Sequence, residues 1–202
     1  MPVRSELILG GQRSGKSRRA EGLARDWLAA SPSHQAVMVA TAQAWDDEMV
    51  ERIARHQQDR AERVPGMTTV EEPIALGQAI QTHSAPQTLV VVDCLTLWLT
   101  KLLMPHVDAK TTGNSQDIPS KEAVDLEIIE RTATLLIAIK NSPGPVILVG
   151  NEIGLGVIPM GRETRAFVDA LGRLNQDVAA ACDRVTFMAA GLPLTLKSPP
   201  CA

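Results

Sequence analysis

One octapeptide constrains this chain more than any other stretch. Gly10-Gly11-Gln12-Arg13-Ser14-Gly15-Lys16-Ser17 fits G-x-x-x-x-G-K-[ST], the phosphate-binding P-loop. Gly10 and Gly15 let the backbone turn tightly and aim N–H groups at phosphate oxygens. Lys16 adds a mobile cation for the β- and γ-phosphates, and Ser17 a hydroxyl for Mg²⁺. The motif needs a strand before it and a helix after it. Leu7-Ile8-Leu9 is a short apolar run. Ala20, Leu23, Ala24, Trp27 and Leu28 then recur at helical spacing from Ser17 to Ala30. The helix N-terminus faces the anion.

The same order repeats downstream. Apolar runs at Ala36–Ala40, Leu89–Asp93, Val146–Val149 and Arg184–Met188 alternate with helical spacing. Charged residues predict a helix from Asp46 or Asp47 to about Arg63, which Pro65-Gly66 ends. Thr68–Glu71 reads as a short extended piece, and Pro73 opens a helix to about Thr82. Further helices are predicted over Leu95–Met104, from Ser120 onward, and over Arg162–Cys182. Leu192–Lys197 reads as a short edge strand because of Pro193. Continuous apolar strands between helices predict an α/β fold, with a mainly parallel sheet covered on both faces. With 202 residues, no repeat and no linker, one domain over 1–202 is expected. Residues 105–119, which hold Gly113, Asn114, Ser115 and Asp117, are the expected mobile loop.

Composition narrows the function. Aromatics are 2% with no Tyr, so a platform for stacking nucleic-acid bases is not expected. A net charge of −3 gives no global basic footprint, and no nucleic-acid partner is expected. Three widely spaced cysteines (Cys94, Cys182, Cys201) form neither a disulfide framework nor a C-x-x-C pair, which fits a reducing cytoplasm. The longest apolar stretch, Leu89 to Met104, is broken by Asp93 and Lys101, so no membrane span is expected. The N-terminus has no signal-peptide pattern.

Three groups carry possible chemistry. Asp93 ends an apolar strand, where a P-loop requires a carboxylate for Mg²⁺; the alternative is an N-cap for the next helix. Glu48, Arg52, His56 and Arg60 fall at intervals of four and form one helical stripe. Flanking arginines favour a neutral imidazole at His56, as a nucleophile requires, and suit a triphosphate. Taken alone, the stripe favours the other reading, a solvated helix face with an ordinary histidine. Gly150–Gly161 follows a strand at the expected ligand edge, where Asn151 and Glu152 are open to a role with substrate or attacking water, or to a structural one.

Taken in order, these blocks resemble a known family. Gly10 to Arg18, Val39-Ala40-Thr41-Ala42-Gln43, Asp46-Asp47-Glu48-Met49 and Arg52-Ile53-x-x-His56 are similar to blocks of the bifunctional adenosylcobinamide kinase/adenosylcobinamide-phosphate guanylyltransferase family of cobalamin biosynthesis. Thr69-Val70-Glu71-Glu72-Pro73, Asp93-Cys94-Leu95-Thr96, Asn151 to Pro159 and Gly172-Arg173-Leu174-Asn175-Gln176 continue the match across nearly the whole chain. The resemblance implies a RecA-like P-loop fold and a homotrimer with the nucleotide site near a subunit contact. It implies phosphorylation of adenosylcobinamide by ATP or GTP. Transfer of GMP from GTP to adenosylcobinamide phosphate follows, through a GMP-histidine. His56 matches the guanylylated histidine, and Lys16 serves the phosphoryl transfer. Positions matching the nucleotide site are Gly10, Gly11, Gln12, Arg13, Ser14, Gly15, Lys16 and Ser17, then Thr41, Ala42 and Gln43. Gln57, Gln58, Asp59, Arg60, Glu71 and Asp93 complete the set, with Ser17 and Asp93 toward the metal. Met67 stands where members often carry Trp, and Asp93 replaces the Glu of some relatives. Two other functions fit the P-loop alone: a kinase of another small molecule without covalent GMP, and a non-catalytic GTP-binding interaction protein.

Overall fold

The computed structural model describes residues 3–43, 47–104 and 120–199; the side chains of residues 47–49, 52 and 53 lie outside the description. The expected mobile loop 105–119 and the alternative cap Asp46 therefore fall outside the described residues, as does Cys201.

The element order is β1 (Ser5–Gly10), α1 (Lys16–Ala30), β2 (Gln35–Ala40), α2 (Asp47–Arg63), β3 (Met67–Glu71), α3 (Leu76–His83) and β4 (Thr88–Asp93). Then come α4 (Leu95–Leu103), α5 (Lys121–Asn141), β5 (Val146–Asn151), α6 (Arg162–Ala181), β6 (Arg184–Ala189) and β7 (Leu192–Lys197). The strands form one sheet in the order β3-β2-β4-β5-β1-β6-β7. All pairings are parallel except β6 with β7, which is antiparallel and puts β7 on the edge, as Pro193 predicts. The order places β5 between β1, which carries the P-loop, and β4, which ends in Asp93. This is a mainly parallel α/β sheet covered by helices, with the P-loop strand inside it.

Strand alternation divides the core in two. On one face Ile8, Val91, Ile147 and Val149 pack with Ala20 and Ala24 of α1 and with Val64, just beyond α2. On the other, Leu7, Leu9, Val90, Val92 and Leu148 pack with Trp98 of α4, Leu135 of α5 and Leu171 of α6. Buried aliphatics at alternate positions on both faces are why the strands read as continuous apolar runs.

One helix starts later than its sequence suggests. The helix after Pro73 begins at Leu76, because the Glu72 carboxylate accepts the N–H groups of Ile74 (2.9 Å) and Ala75 (2.7 Å) and holds them in a turn. At α5 the expected start holds: the Ser120 hydroxyl accepts the Ala123 N–H at 3.2 Å.

Candidate functional site

The P-loop joins β1 to α1 at the C-terminal edge of the sheet. Arg13 (φ 54°) and Gly15 (φ 100°) take left-handed conformations, which curl the loop into a concave row of N–H groups. Gly15 precedes α1 and no side chain caps that helix, so its first N–H groups remain free for an anion. Gly10 is required sterically: a Cβ there would lie 2.5 Å from the Met188 carbonyl oxygen and 2.6 Å from Ser14 Oγ. Lys16 is nearly buried, and its Nζ donates to the Gly11 carbonyl at 2.6 Å. Burial pulls the Lys16 pKa below its ordinary value, against the opposing pull of Cys94 and Asp93.

Ser17 and Asp93 meet across 76 positions of chain: Ser17 Oγ donates to Asp93 Oδ2 at 2.8 Å. Beside them the Thr41 hydroxyl donates to the Cys94 carbonyl (2.7 Å) and accepts the Cys94 N–H (2.8 Å), while Thr41 N donates to the Asp93 carbonyl (3.1 Å). The end of β2 thus holds the end of β4. Burial pushes the Cys94 thiol up to about 12, so it is no nucleophile at neutral pH.

A cleft of about 1370 Å³ opens over the P-loop. Of the residues singled out from sequence, Gln12 to Ser17, Ala42, His56, Gln57, Asp59, Arg60, Glu71 and Asp93 line it. Gly10, Gly11, Thr41, Gln43 and Gln58 do not. Thr41 is buried with its hydroxyl committed to Cys94. Gln58 is exposed and its amide donates to Glu62 at 3.4 Å. Gln43 Oε1 is buried without a hydrogen-bond partner among the described residues.

His56 is exposed on α2, facing the cleft. Two contacts near the C-terminal end anchor this helix. Arg63 bridges Glu21 of α1 (3.1 Å) and Asp59 (2.8 Å), and Arg60 donates to Thr69 of β3 at 3.1 Å. Two members of the predicted stripe, Glu48 and Arg52, have side chains outside the description. Arg13, Arg18 and Arg55 add positive charge to the cleft wall, suiting a polyphosphate.

Sequence reasoning missed the β6–β7 turn. Gly191 N donates to the Ser14 carbonyl at 3.0 Å, and Ala190 and Gly191 line the cleft. Gly191 between two strands signals a turn, but nothing local places that turn on a loop some 180 residues earlier. The structure also separates Asn151 from Glu152. The Glu152 carboxylate accepts the Gly154 N–H (2.8 Å) and the Asn175 amide (3.4 Å), holding its own turn, whereas Asn151 lines the cleft.

Known proteins are similar to this chain over nearly its whole length. Residues 6–196 match the family model described as cobinamide kinase/cobinamide phosphate guanyltransferase. The bifunctional adenosylcobalamin biosynthesis protein CobP of Pseudomonas aeruginosa is 45% identical over 196 residues, covering 96% of this chain and 98% of its own. The bifunctional adenosylcobalamin biosynthesis protein CobU of Escherichia coli is 36% identical over 191 residues, covering 95% and 98%. Among solved structures, the flagellar accessory protein FlaH of Methanocaldococcus jannaschii superposes with a TM-score of 0.48 and 11% identity, over 98% of this chain and 80% of that one. A phosphate loop facing a helix-borne histidine and a near full-length match at up to 45% identity agree: the chain belongs to the cobinamide kinase/cobinamide phosphate guanyltransferase family.

Proposed function

We propose that this chain phosphorylates adenosylcobinamide with a nucleoside triphosphate, and then transfers GMP from GTP through His56 to give adenosylcobinamide-GDP. The observation that carries this reading is that His56 and the P-loop open on one cleft. A triphosphate cradled by residues 10–17 there has its α-phosphorus within the space that α2 overlooks. Lys16 exchanges the Gly11 carbonyl for phosphate oxygens and neutralises charge on the transferring group. Catalysis of phosphoryl transfer is then largely positioning and charge stabilisation.

Ser17 and Asp93 offer a hydroxyl and a carboxylate 2.8 Å apart, the hard oxygen donors that Mg²⁺ takes. Among the described residues no group of three or more His, Cys, Asp and Glu gathers as a cage, and a nucleotide-bound Mg²⁺ needs none. Bound there, Mg²⁺ would neutralise the phosphate oxygens. That no side chain caps α4 supports this reading of Asp93 over an N-cap.

In the guanylyl step, a lone pair of the His56 imidazole attacks the α-phosphorus. A P–N bond forms, the bond to the bridging oxygen breaks, and pyrophosphate leaves. A phosphate oxygen of adenosylcobinamide phosphate then attacks the same phosphorus and the P–N bond breaks. Covalent catalysis divides one hard transfer into two. Gln57, Asp59, Arg60 and Glu71 face the cleft on the side that would hold the nucleoside.

We read the working enzyme as a cytoplasmic homotrimer. Exposed Leu192, Leu194 and Leu196 on β7, with Leu155, Val157, Ile158 and Met160 after β5, support a subunit contact. The free thiols Cys94 and Cys182 support a reducing compartment, and among the described residues no helix is long and apolar enough to cross a membrane.

The test is incubation with α-labelled GTP. The expected result is labelled protein with an acid-labile, base-stable bond, lost in His56→Ala. Label that survives His56→Ala removes the nucleophile. Phosphoryl transfer without label indicates a plain kinase, and binding without either reaction an interaction protein.

A further inference from the structure

Asn151 faces the cleft, yet the two reactions as set out above give it no task. Its position is unusually well fixed. Asn151 N donates to Thr96 Oγ1 at 2.9 Å, and its carbonyl accepts from Asn175 Nδ2 at 3.1 Å. Both partner side chains are buried. The next residue ties this strand end to the P-loop, since Glu152 N donates to the Gly10 carbonyl at 3.1 Å. Against these backbone clamps, the Asn151 side-chain amide has no hydrogen-bond partner among the described residues.

Topology says what this amide meets. Asn151 pairs in register with Gly10, the first residue of the P-loop, and two residues earlier Val149 pairs with Asp93. β5 thus runs between the strand that delivers Lys16 and the strand that delivers Asp93. Val149 packs in the core beneath α1, with Ala20, Ala24 and Cys94. Residues two apart on a strand share a face, so Asn151 emerges on the α1 side, above Val149. Lys16 and the Ser17–Asp93 pair address the β- and γ-phosphates of a bound triphosphate. An amide at the strand end between them meets the terminal phosphoryl.

His56 approaches from elsewhere. Its helix is anchored on β3 through Thr69, and β3 lies three strand positions from β5, roughly 14 Å across the sheet at about 4.8 Å per strand. The α-phosphorus and the γ-phosphorus are therefore served from different sides.

We propose that the Asn151 side-chain amide donates a hydrogen bond to the terminal phosphoryl group during its transfer to the substrate hydroxyl, and takes no part in the attack of His56 on the α-phosphorus. This assignment rests on the two-step function proposed above. As the phosphoryl moves, the bond to the leaving nucleotide oxygen breaks and leaves its electron pair on that oxygen, the bond to the hydroxyl oxygen forms, and the hydroxyl proton passes to solvent. The Nδ2 donor stabilises negative charge on a non-bridging oxygen throughout and exchanges no proton.

Two assays on one set of proteins test it: transfer of γ-labelled phosphate from nucleotide to adenosylcobinamide, and incorporation of α-labelled GMP into protein. In Asn151→Ala, phosphoryl transfer is expected to fall about 10²–10³-fold, chiefly in kcat, as for other single donors to a developing charge. GMP incorporation at saturating GTP is expected to fall far less, because the bond that breaks there is at the α-phosphorus and Asn151 touches only the departing end of the nucleotide. Asn151→Asp, which puts a carboxylate against the phosphoryl, loses phosphoryl transfer at least as fully. Both clamps use backbone atoms of residue 151, so neither substitution removes them. A defect that is equal in the two reactions, or absent from both, overturns the role of Asn151. The wild-type arm keeps the claims apart: wild-type protein that transfers phosphate but takes no GMP overturns the guanylyltransferase reading, while the kinase comparison still decides Asn151.

Discussion

Replacing Thr41 with valine tests how the site is held in place. Valine matches threonine in shape, so the change removes hydrogen bonds and little packing. Thr41 is 1% exposed, and its hydroxyl serves both the N–H and the carbonyl of Cys94. The two losses differ in size. The Cys94 carbonyl also accepts Trp98 N at 3.2 Å, so it loses one of two donors, worth about 0.5–1.5 kcal/mol. The Cys94 N–H loses its acceptor inside the core, at about 1–3 kcal/mol. The added methyl returns at most about 0.8 kcal/mol. The net destabilisation is about 1–4 kcal/mol, a large share of the roughly 5–15 kcal/mol that holds a domain together. Urea unfolding reads it as a lower midpoint at unchanged slope. Thr41→Ser keeps both hydrogen bonds and is expected to cost about 1 kcal/mol or less. Valine as stable as wild type, or serine as damaging as valine, refutes the clamp.

Gly10→Ala is expected to cost about 2 kcal/mol or more in the same assay, because its Cβ meets the Met188 carbonyl, which β1–β6 pairing holds in place. Gly11→Ala, with nothing within 4 Å of the new Cβ, stays within about 0.5 kcal/mol of wild type. Burial pushes Cys94 and Cys182 up to about 12 from an ordinary value of 9.0, so the folded chain keeps protons that the unfolded chain releases. Their contribution to stability is whole below about pH 9 and is lost between about pH 9 and 12, at up to about 1.4 kcal/mol per pH unit for each thiol. Urea midpoints taken from pH 8 to 11 should fall, and Cys182→Ala should remove about half of the thiol-dependent slope.

The strand–loop–helix around Gly10–Ser17 was legible because each of its requirements is local: an apolar run, two glycines, then apolar residues at helical spacing. Alternating apolar runs and helical spacing likewise announced the parallel sheet, and Pro193 announced its edge. The start of α3 was not legible, because proline at a helix start is a propensity, whereas the Glu72 carboxylate makes two specific hydrogen bonds that hold the turn past it. Thr41 shows a different limit. It stands where family resemblance expects the nucleotide, and only the structure shows its hydroxyl spent on Cys94. Asn151 and Glu152 are neighbours in sequence with equal claims; strand alternation and the Asn175 and Gly154 contacts leave only Asn151 lining the cleft.

The sequence by itself determined a P-loop motif, the α/β alternation and a histidine on a charged helix, since each is encoded over a few turns or strands of contiguous chain. Tertiary structure alone decided that Ser17 meets Asp93, that the Gly191 turn closes on Ser14, and that Asn151 stands between them. Those juxtapositions follow from strand order and register, which are set by burying two faces of one sheet at once, and no local stretch of sequence carries that information.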